Sequence, residues 1–214
     1  MSSKLSLCIQ QYEVGPLNNF LYLLGDPATK EMAVIDPAWD PDMLAQEAKR
    51  LSYKITKIFL THAHPDHVNG LERLLQLHPV PVYISAHEAP FLTKNLKGLT
   101  PIQDKATLNV GNILFEVIHT PGHTPGCQCF LAQGQLICGD TLFINGCGRC
   151  DLPGGDATVM YHTLYNIIKK LPDSTTVWPG HNYGPTPFAT IGEQKATNPY
   201  LQCHNLSEFL NERM

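Results

Sequence analysis

No run of lysine or arginine occurs anywhere in this chain, and the formal net charge is a mild −4 over 214 residues. A nucleic-acid surface or an anionic-membrane anchor needs clustered basic charge, so neither partner is expected. Long apolar runs are missing too, since none approaches the ~20 residues of a membrane-spanning helix. The opening MSSKLSLCIQQYEV holds one lysine and no extended apolar stretch, so no signal peptide is expected. These absences predict a soluble, cytoplasmic chain. Cysteine is present but unpatterned: there are seven, an odd number, and no second C-x-x-C accompanies Cys147-Gly148-Arg149-Cys150 as a zinc knuckle requires. No βαβ thioredoxin-like context surrounds that motif, so reduced loop and core thiols are expected. The Asn205-Leu206-Ser207 sequon has no secretion signal to support it.

What is present is a core-forming pattern. An apolar fraction of 43% allows a sizeable interior, and no composition shift divides the chain, so residues 1–214 are read as a single domain. Alternating or β-branched runs predict strands over 5–14, 19–26, 31–36, 55–62, 80–85, 112–119, 127–132, 135–140 and 174–181. Helical spacing of apolar residues predicts helices over 40–51, 66–78 and 157–171, a short one from Ala86, and two near the end, over 190–197 and 205–214. Strands, helix, strand, helix, strand, in that order and twice over, predict an α/β fold with two sheets packed together and helices outside.

The stretch FLTHAHPDH, residues 59–67, carries the chemistry. An apolar strand ends at the histidines. Side chains two apart on an extended segment face the same way, so His62 and His64 can converge on one ion. Asp66 and His67 then open a helix and can face a second, with Pro65 stiffening the turn between the pairs. Imidazole with carboxylate suits Zn²⁺, Fe or Mn. Asp66 alone would pass for a helix cap, but three histidines in six positions do not. Three later strand ends repeat the device: HTPGHTPG offers His119 and His123, LICGDTLF offers Asp140, and TVWPGH offers His181. Glycine beside His123 lets its ring turn inward, whereas His119 is expected in the core or behind the ligands. A carboxylate at Asp140 can bridge two cations. His78, His87, His162 and His204 have no such context and are expected on the surface or in the core.

In that order, THAHPDH, TPGHTPG, CGD and PGH resemble the metallo-β-lactamase fold hydrolases over nearly the whole chain. The resemblance implies a four-layer αβ/βα sandwich, two mixed sheets flanked by helices, with the site at one edge. It makes His62, His64 and His123 ligands of a first metal. Asp66, His67 and His181 become ligands of a second, and Asp140 bridges them. Two divalent ions are thereby implied, Zn²⁺ first, with Fe²⁺ and Mn²⁺ also suited to the set. Aspartate at position 140 differs from the lactamases that place a cysteine ligand there. GCGRCDLPGGD and TIGEQKATNPYL are similar to the branch that holds glyoxalase II (hydroxyacylglutathione hydrolase) and persulfide dioxygenase. There the Gly-Cys-Gly-basic loop meets a small-molecule glutathione conjugate, which implies a substrate-binding role for Arg149. Asn182 and Tyr183, just past His181, are further candidates to line the pocket.

The implied activity is cleavage of a glutathione thioester such as S-lactoylglutathione through a metal-bridging hydroxide, with Asp66 and Asp140 as catalytic carboxylates. The rival is a mononuclear Fe(II) persulfide dioxygenase using His62, His123 and Asp140 as its triad. A non-catalytic metal-binding module fits worst, because structural zinc favours closed, cysteine-rich sets.

Overall fold

The computed structural model describes residues 6–92, 96 and 98–213. The expected strand start at residue 5 and helix end at 214 lie outside that set. The first sheet runs, in spatial order, β1 (Cys8–Val14), β2 (Asn19–Asp26), β3 (Glu31–Ile35), β4 (Lys54–Phe59), β5 (Val82–Ser85) and β6 (Leu99–Ile102). The second comprises β7 (Thr107–Val110), β8 (Ile113–His119), β9 (Gln128–Ala132), β10 (Gln135–Gly139), β11 (Thr176–Pro179) and β12 (Ala189–Thr190), again in chain order. Both sheets are mixed. β1 to β3 are antiparallel and β3 to β6 parallel; in the second sheet only β10 and β11 pair in parallel.

Side-chain alternation explains the layering. Along β2, Phe20, Tyr22 and Leu24 enter the core between the sheets, while Leu21 and Leu23 face the opposite way. Phe59 centres the inter-sheet core, stacked on Phe130 at 5.1 Å and edge-on to Phe115 at 5.8 Å. Truncating such a ring to alanine costs about 3–5 kcal/mol. On the outer face of the first sheet pack α1 (Pro41–Arg50) and α3 (Leu71–Leu77), through Leu44, Ala48, Leu71 and Leu74. Outside the second sheet lie α4 (Ala157–Asn166), α5 (Ile191–Thr197), α6 (Pro199–Gln202) and α7 (Leu206–Arg213). They bury Met160, Leu164, Ile191, Leu201 and Phe209. The expected four-layer sandwich is the architecture found.

Some elements differ from expectation. The helix expected over 66–78 is two, α2 (Pro65–Val68) and α3. Asn69 and Gly70 between them bond to a neighbouring turn: Trp39 N donates to Asn69 Oδ1 at 2.7 Å, and Gly70 N donates to Pro37 O at 3.0 Å. Among the described residues, the segment from Ala86 contains only a 3₁₀ turn, Ala89–Phe91, and α4 stops at Asn166 before another at Ile168–Lys170. The short strands β6, β7 and β12 and the helix α6 are additional. β6 contains Pro101 and lies on the sheet edge, the place a strand tolerates proline. No helix among the described residues is long and apolar enough to cross a membrane.

Parallel pairing places the site. β3 and β4 run together, so Asp36 and Thr61 to His67 leave the same edge. β10 and β11 do likewise and deliver Asp140 and His181.

Candidate metal centre

The turn after β4 brings His62 and His64 against His123, which arrives on the loop after β8. One nitrogen from each of these rings lies within 4.8 Å of the others. A carboxylate oxygen of Asp66 and one nitrogen each of His67 and His181 lie equally close to one another. Asp140 stands between the two groups: its Oδ2 is 3.4 Å from His123 Nε2 and 3.3 Å from His181 Nε2, and its Oδ1 is 3.3 Å from His67 Nε2. Gly139 permits this approach. It adopts φ +47°, and a Cβ there would collide with the Thr61 side chain.

Four of the rings are anchored at Nδ1, which leaves Nε2 facing the centre. His67 Nδ1 donates to Asp36 Oδ2 at 3.0 Å, His123 Nδ1 to the Arg149 carbonyl at 2.6 Å, and His181 Nδ1 to the Leu17 carbonyl at 2.8 Å. Thr61 Oγ1 spends its proton on Asp36 Oδ2 at 2.6 Å, so it accepts from His62 Nδ1 at 3.0 Å. His64 presents Nδ1 instead, 2.9 Å from His123 Nε2. Within the second cluster the nitrogens likewise point at shared space: His67 Nε2 and His181 Nε2 are 3.2 Å apart. Among the described residues, His62 Nε2 and Asp140 Oδ1 are buried without a hydrogen-bond partner. Orphaned lone pairs are costly in a protein interior, and a cation at each cluster would satisfy them. The donor set therefore fits divalent metal.

Burial pushes the His62 imidazole well below its ordinary value, and the neighbouring His67 pushes it the same way, so the ring is a neutral donor. Burial likewise lowers His64, followed by His123. Burial disfavours the charged forms of His67 and His181, but the Asp140 carboxylate outweighs it and raises both. Asp140 would be raised by its burial, yet the surrounding imidazoles hold it well below the usual carboxylate range.

A cavity of about 410 Å³ opens over His64, Asp66, His123, Asp140 and His181, walled by apolar Leu17 and Phe143. Tyr183 lines it, stacked on His181 at 4.7 Å and 11° and edge-on to Phe143 at 5.3 Å. Arg149 also lines the cavity, but its guanidinium is held in a two-point ion pair by Asp151 at 2.7 Å. The structure directs Asn182 elsewhere: its Nδ2 donates to Glu13 Oε2 at 2.8 Å. His119 ends β8, bonded to the Pro125 carbonyl and stacked on His87, apart from both clusters.

Some supporting residues escaped the sequence reading. Asp36 holds His67 and Thr61 together, turned into place by a left-handed φ of 49°. Asn19 Nδ2 donates to Asp66 Oδ2 at 2.9 Å while its Oδ1 accepts from Trp39 Nε1 at 2.8 Å. Asp36 had a visible signal, an acid closing an apolar strand before proline. Asn19 had none.

Fold and site together define a metal-binding α/β sandwich protein. The chain belongs to the metallo-beta-lactamase superfamily, a superfamily of metal-dependent hydrolases, which its residues 14–181 match. It is 33% identical over 196 residues to the probable polyketide biosynthesis zinc-dependent hydrolase BaeB of Bacillus velezensis, covering 92% of this chain and 87% of that one. It is 32% identical over 188 residues to human persulfide dioxygenase ETHE1, covering 85% of this chain and 71% of the relative. The hydroxyacylglutathione hydrolase of Gloeobacter violaceus is 39% identical over 170 residues, 78% of this chain and 64% of the relative. The crystal structure of ETHE1 from Myxococcus xanthus superposes with a TM-score of 0.88 at 29% identity, covering 96% of this chain and 89% of that one.

Proposed function

We propose that this chain is a dinuclear thioesterase that hydrolyses a glutathione thioester, of which S-lactoylglutathione is the test case. The observation that carries the reading is the pair of three-ligand clusters sharing Asp140, with His62 Nε2 and Asp140 Oδ1 left buried and unbonded. His62, His64 and His123 would hold one ion, Asp66, His67 and His181 the other, and Asp140 both. Zn²⁺ is the ion proposed, and the zinc-dependent relative supports it. Bound divalent ions lower the pKa of coordinated water from ~15.7 toward ~7 and polarise an acyl carbonyl.

The protein's own groups do the rest. Asn19 Nδ2 holds the Asp66 carboxylate at 2.9 Å, which fixes the direction in which Oδ2 can accept a proton from the attacking nucleophile. Nδ1 anchors keep the His62, His67, His123 and His181 rings from turning as charge shifts. A thiolate leaves without needing a strong acid. Leu17, Phe143 and Tyr183 give the acyl part an apolar wall.

Similarity to persulfide dioxygenase ETHE1 over 85% of the chain supports one rival, mononuclear Fe(II) oxygenation of glutathione persulfide. One experiment separates them. The thioesterase reading expects two equivalents of Zn²⁺ and cleavage of S-lactoylglutathione under nitrogen. It also expects little O₂ uptake by Fe(II)-loaded protein given glutathione persulfide. Rapid O₂ uptake with sulfite formation, and no thioester cleavage with any metal, would assign the dioxygenase.

A further inference from the structure

Glu88 is 1% exposed and belongs to neither histidine cluster. A carboxylate so enclosed is costly unless its oxygens are paired. Both are: Oε2 accepts from Ala63 N at 2.9 Å, and Oε1 accepts from Gly126 N at 2.8 Å. Ala63 lies between His62 and His64, and Gly126 follows His123 on the same loop. One donor therefore belongs to the loop leaving β4 in the first sheet, the other to the loop between β8 and β9 in the second. A single side chain clasps the two loops that bring the three-histidine cluster together.

The fit is close. A Cβ at Gly126 would stand 2.6 Å from Glu88 Cγ and 2.7 Å from Glu88 N, so a larger residue there has to displace the carboxylate. Another tie between the sheets lies nearby, where Gln128 donates through Nε2 to Leu60 O at 2.8 Å and through N to Thr61 O at 3.0 Å. That tie joins the strand ends; Glu88 reaches past it to the turns that carry the ligands. Asp66 and His67 are braced separately, by Asn19 and Asp36. Bonds from backbone N–H to an ionised acceptor are about twice as strong as neutral ones, which suits a clasp made of only two.

We propose that Glu88 is a positioning residue whose carboxylate sets the spacing of His62 and His64 from His123, and so the affinity of that cluster for a divalent ion. The inference rests on the metal-binding reading of the clusters. Glu88→Gln tests it, because the amide keeps the volume but turns a second donor toward one of two N–H groups. Metal-free unaltered protein and Glu88→Gln would be titrated with Zn²⁺ against a chromophoric chelator, with the Tm of each metal-free protein measured alongside. Expected is a loss of about 10- to 100-fold in affinity for one equivalent, the other keeping its value. Gly126→Ala should reproduce that pattern, and it stands in if Glu88→Gln does not fold.

Wild-type affinities for both equivalents, with only the metal-free Tm lowered, would make Glu88 merely structural and overturn the proposal. Equal weakening of both equivalents would overturn it as well. If the unaltered protein takes up a single equivalent, the dinuclear reading fails on its own. The clasp is then judged on that one ion, where weaker binding by Glu88→Gln supports it and unchanged binding refutes it.

Discussion

Oδ2 of Asp36 and Nδ1 of His67 stand 3.0 Å apart, both buried, and the same carboxylate takes the Thr61 hydroxyl at 2.6 Å and the Thr61 backbone N–H at 2.7 Å. One side chain thus orients a proposed ligand of the second ion and, through Thr61, the His62 ring. Asp36→Asn turns an N–H₂ toward at least one of these donors. We expect affinity for divalent metal to fall by about 10- to 100-fold. Competition with a chelator measures it, and an unaltered affinity would show that the rings hold their orientation unaided.

Asp140 touches His67, His123 and His181 from its two oxygens. Asp140→Ala should lower kcat for thioester cleavage on the order of a thousandfold, equivalent to ~4 kcal/mol of barrier. His204, whose side chain is 84% exposed beside Glu208, serves as the comparison, and His204→Ala should leave kcat unaltered. Equal damage from the two substitutions would refute the ligand assignment.

Arg149 reaches the cavity with its fork occupied by Asp151. Both partners are exposed, so the pair is weak and an anionic substrate can compete for the guanidinium. Arg149→Ala should raise KM for glutathione thioesters more than it lowers kcat. Asp151→Asn should lower KM, and the gain should shrink as salt is added. A KM indifferent to both substitutions would remove glutathione's carboxylates from this corner of the site.

Asp26 has no exposed surface, and burial alone would raise its pKa. Backbone N–H groups of Asn112 and Ala28, then the Thr29 hydroxyl and the Asn112 amide, outweigh that and hold it below 3.8. A depressed folded-state pKa stabilises above the unfolded value and loses its effect as pH falls through the folded one. Asp26→Asn should therefore lower the Tm of metal-free protein at pH 7, with the gap closing below about pH 4. A gap of constant size from pH 7 to pH 3 would contradict this.

The edge that gathers the histidines and aspartates was legible because its device is local. An apolar run followed by histidine or aspartate with proline or glycine alongside marks His62, His123, Asp140 and His181 one at a time. The layers followed from alternation along strands such as β2. What escaped depends on distant partners. Glu88 reads in sequence as an ordinary acid after a strand, and only the folded chain brings Ala63 and Gly126 to it. The Arg149 loop was expected to contribute a guanidinium, yet its carbonyl anchors His123, and backbone atoms leave no trace in residue type. The helix over 66–78 broke because Asn69 and Gly70 bond to the turn at Pro37 and Trp39. Strands β6, β7 and β12 are too short to show a period of their own.

Each of the two proposed metal clusters draws on both halves of the chain: His62 and His64 meet His123, and Asp66 and His67 meet His181. Elsewhere the halves face each other through an apolar core centred on Phe59 and Phe130. An ion in either cluster is thus a removable cross-link between the two sheets, and occupancy becomes linked to folding. At a thousandfold excess over its Kd, one such ion adds roughly 4 kcal/mol to the native state. That is a large share of the roughly 5–15 kcal/mol typical of a whole domain. Metal supply would then govern how long this protein survives, as well as whether it turns over substrate.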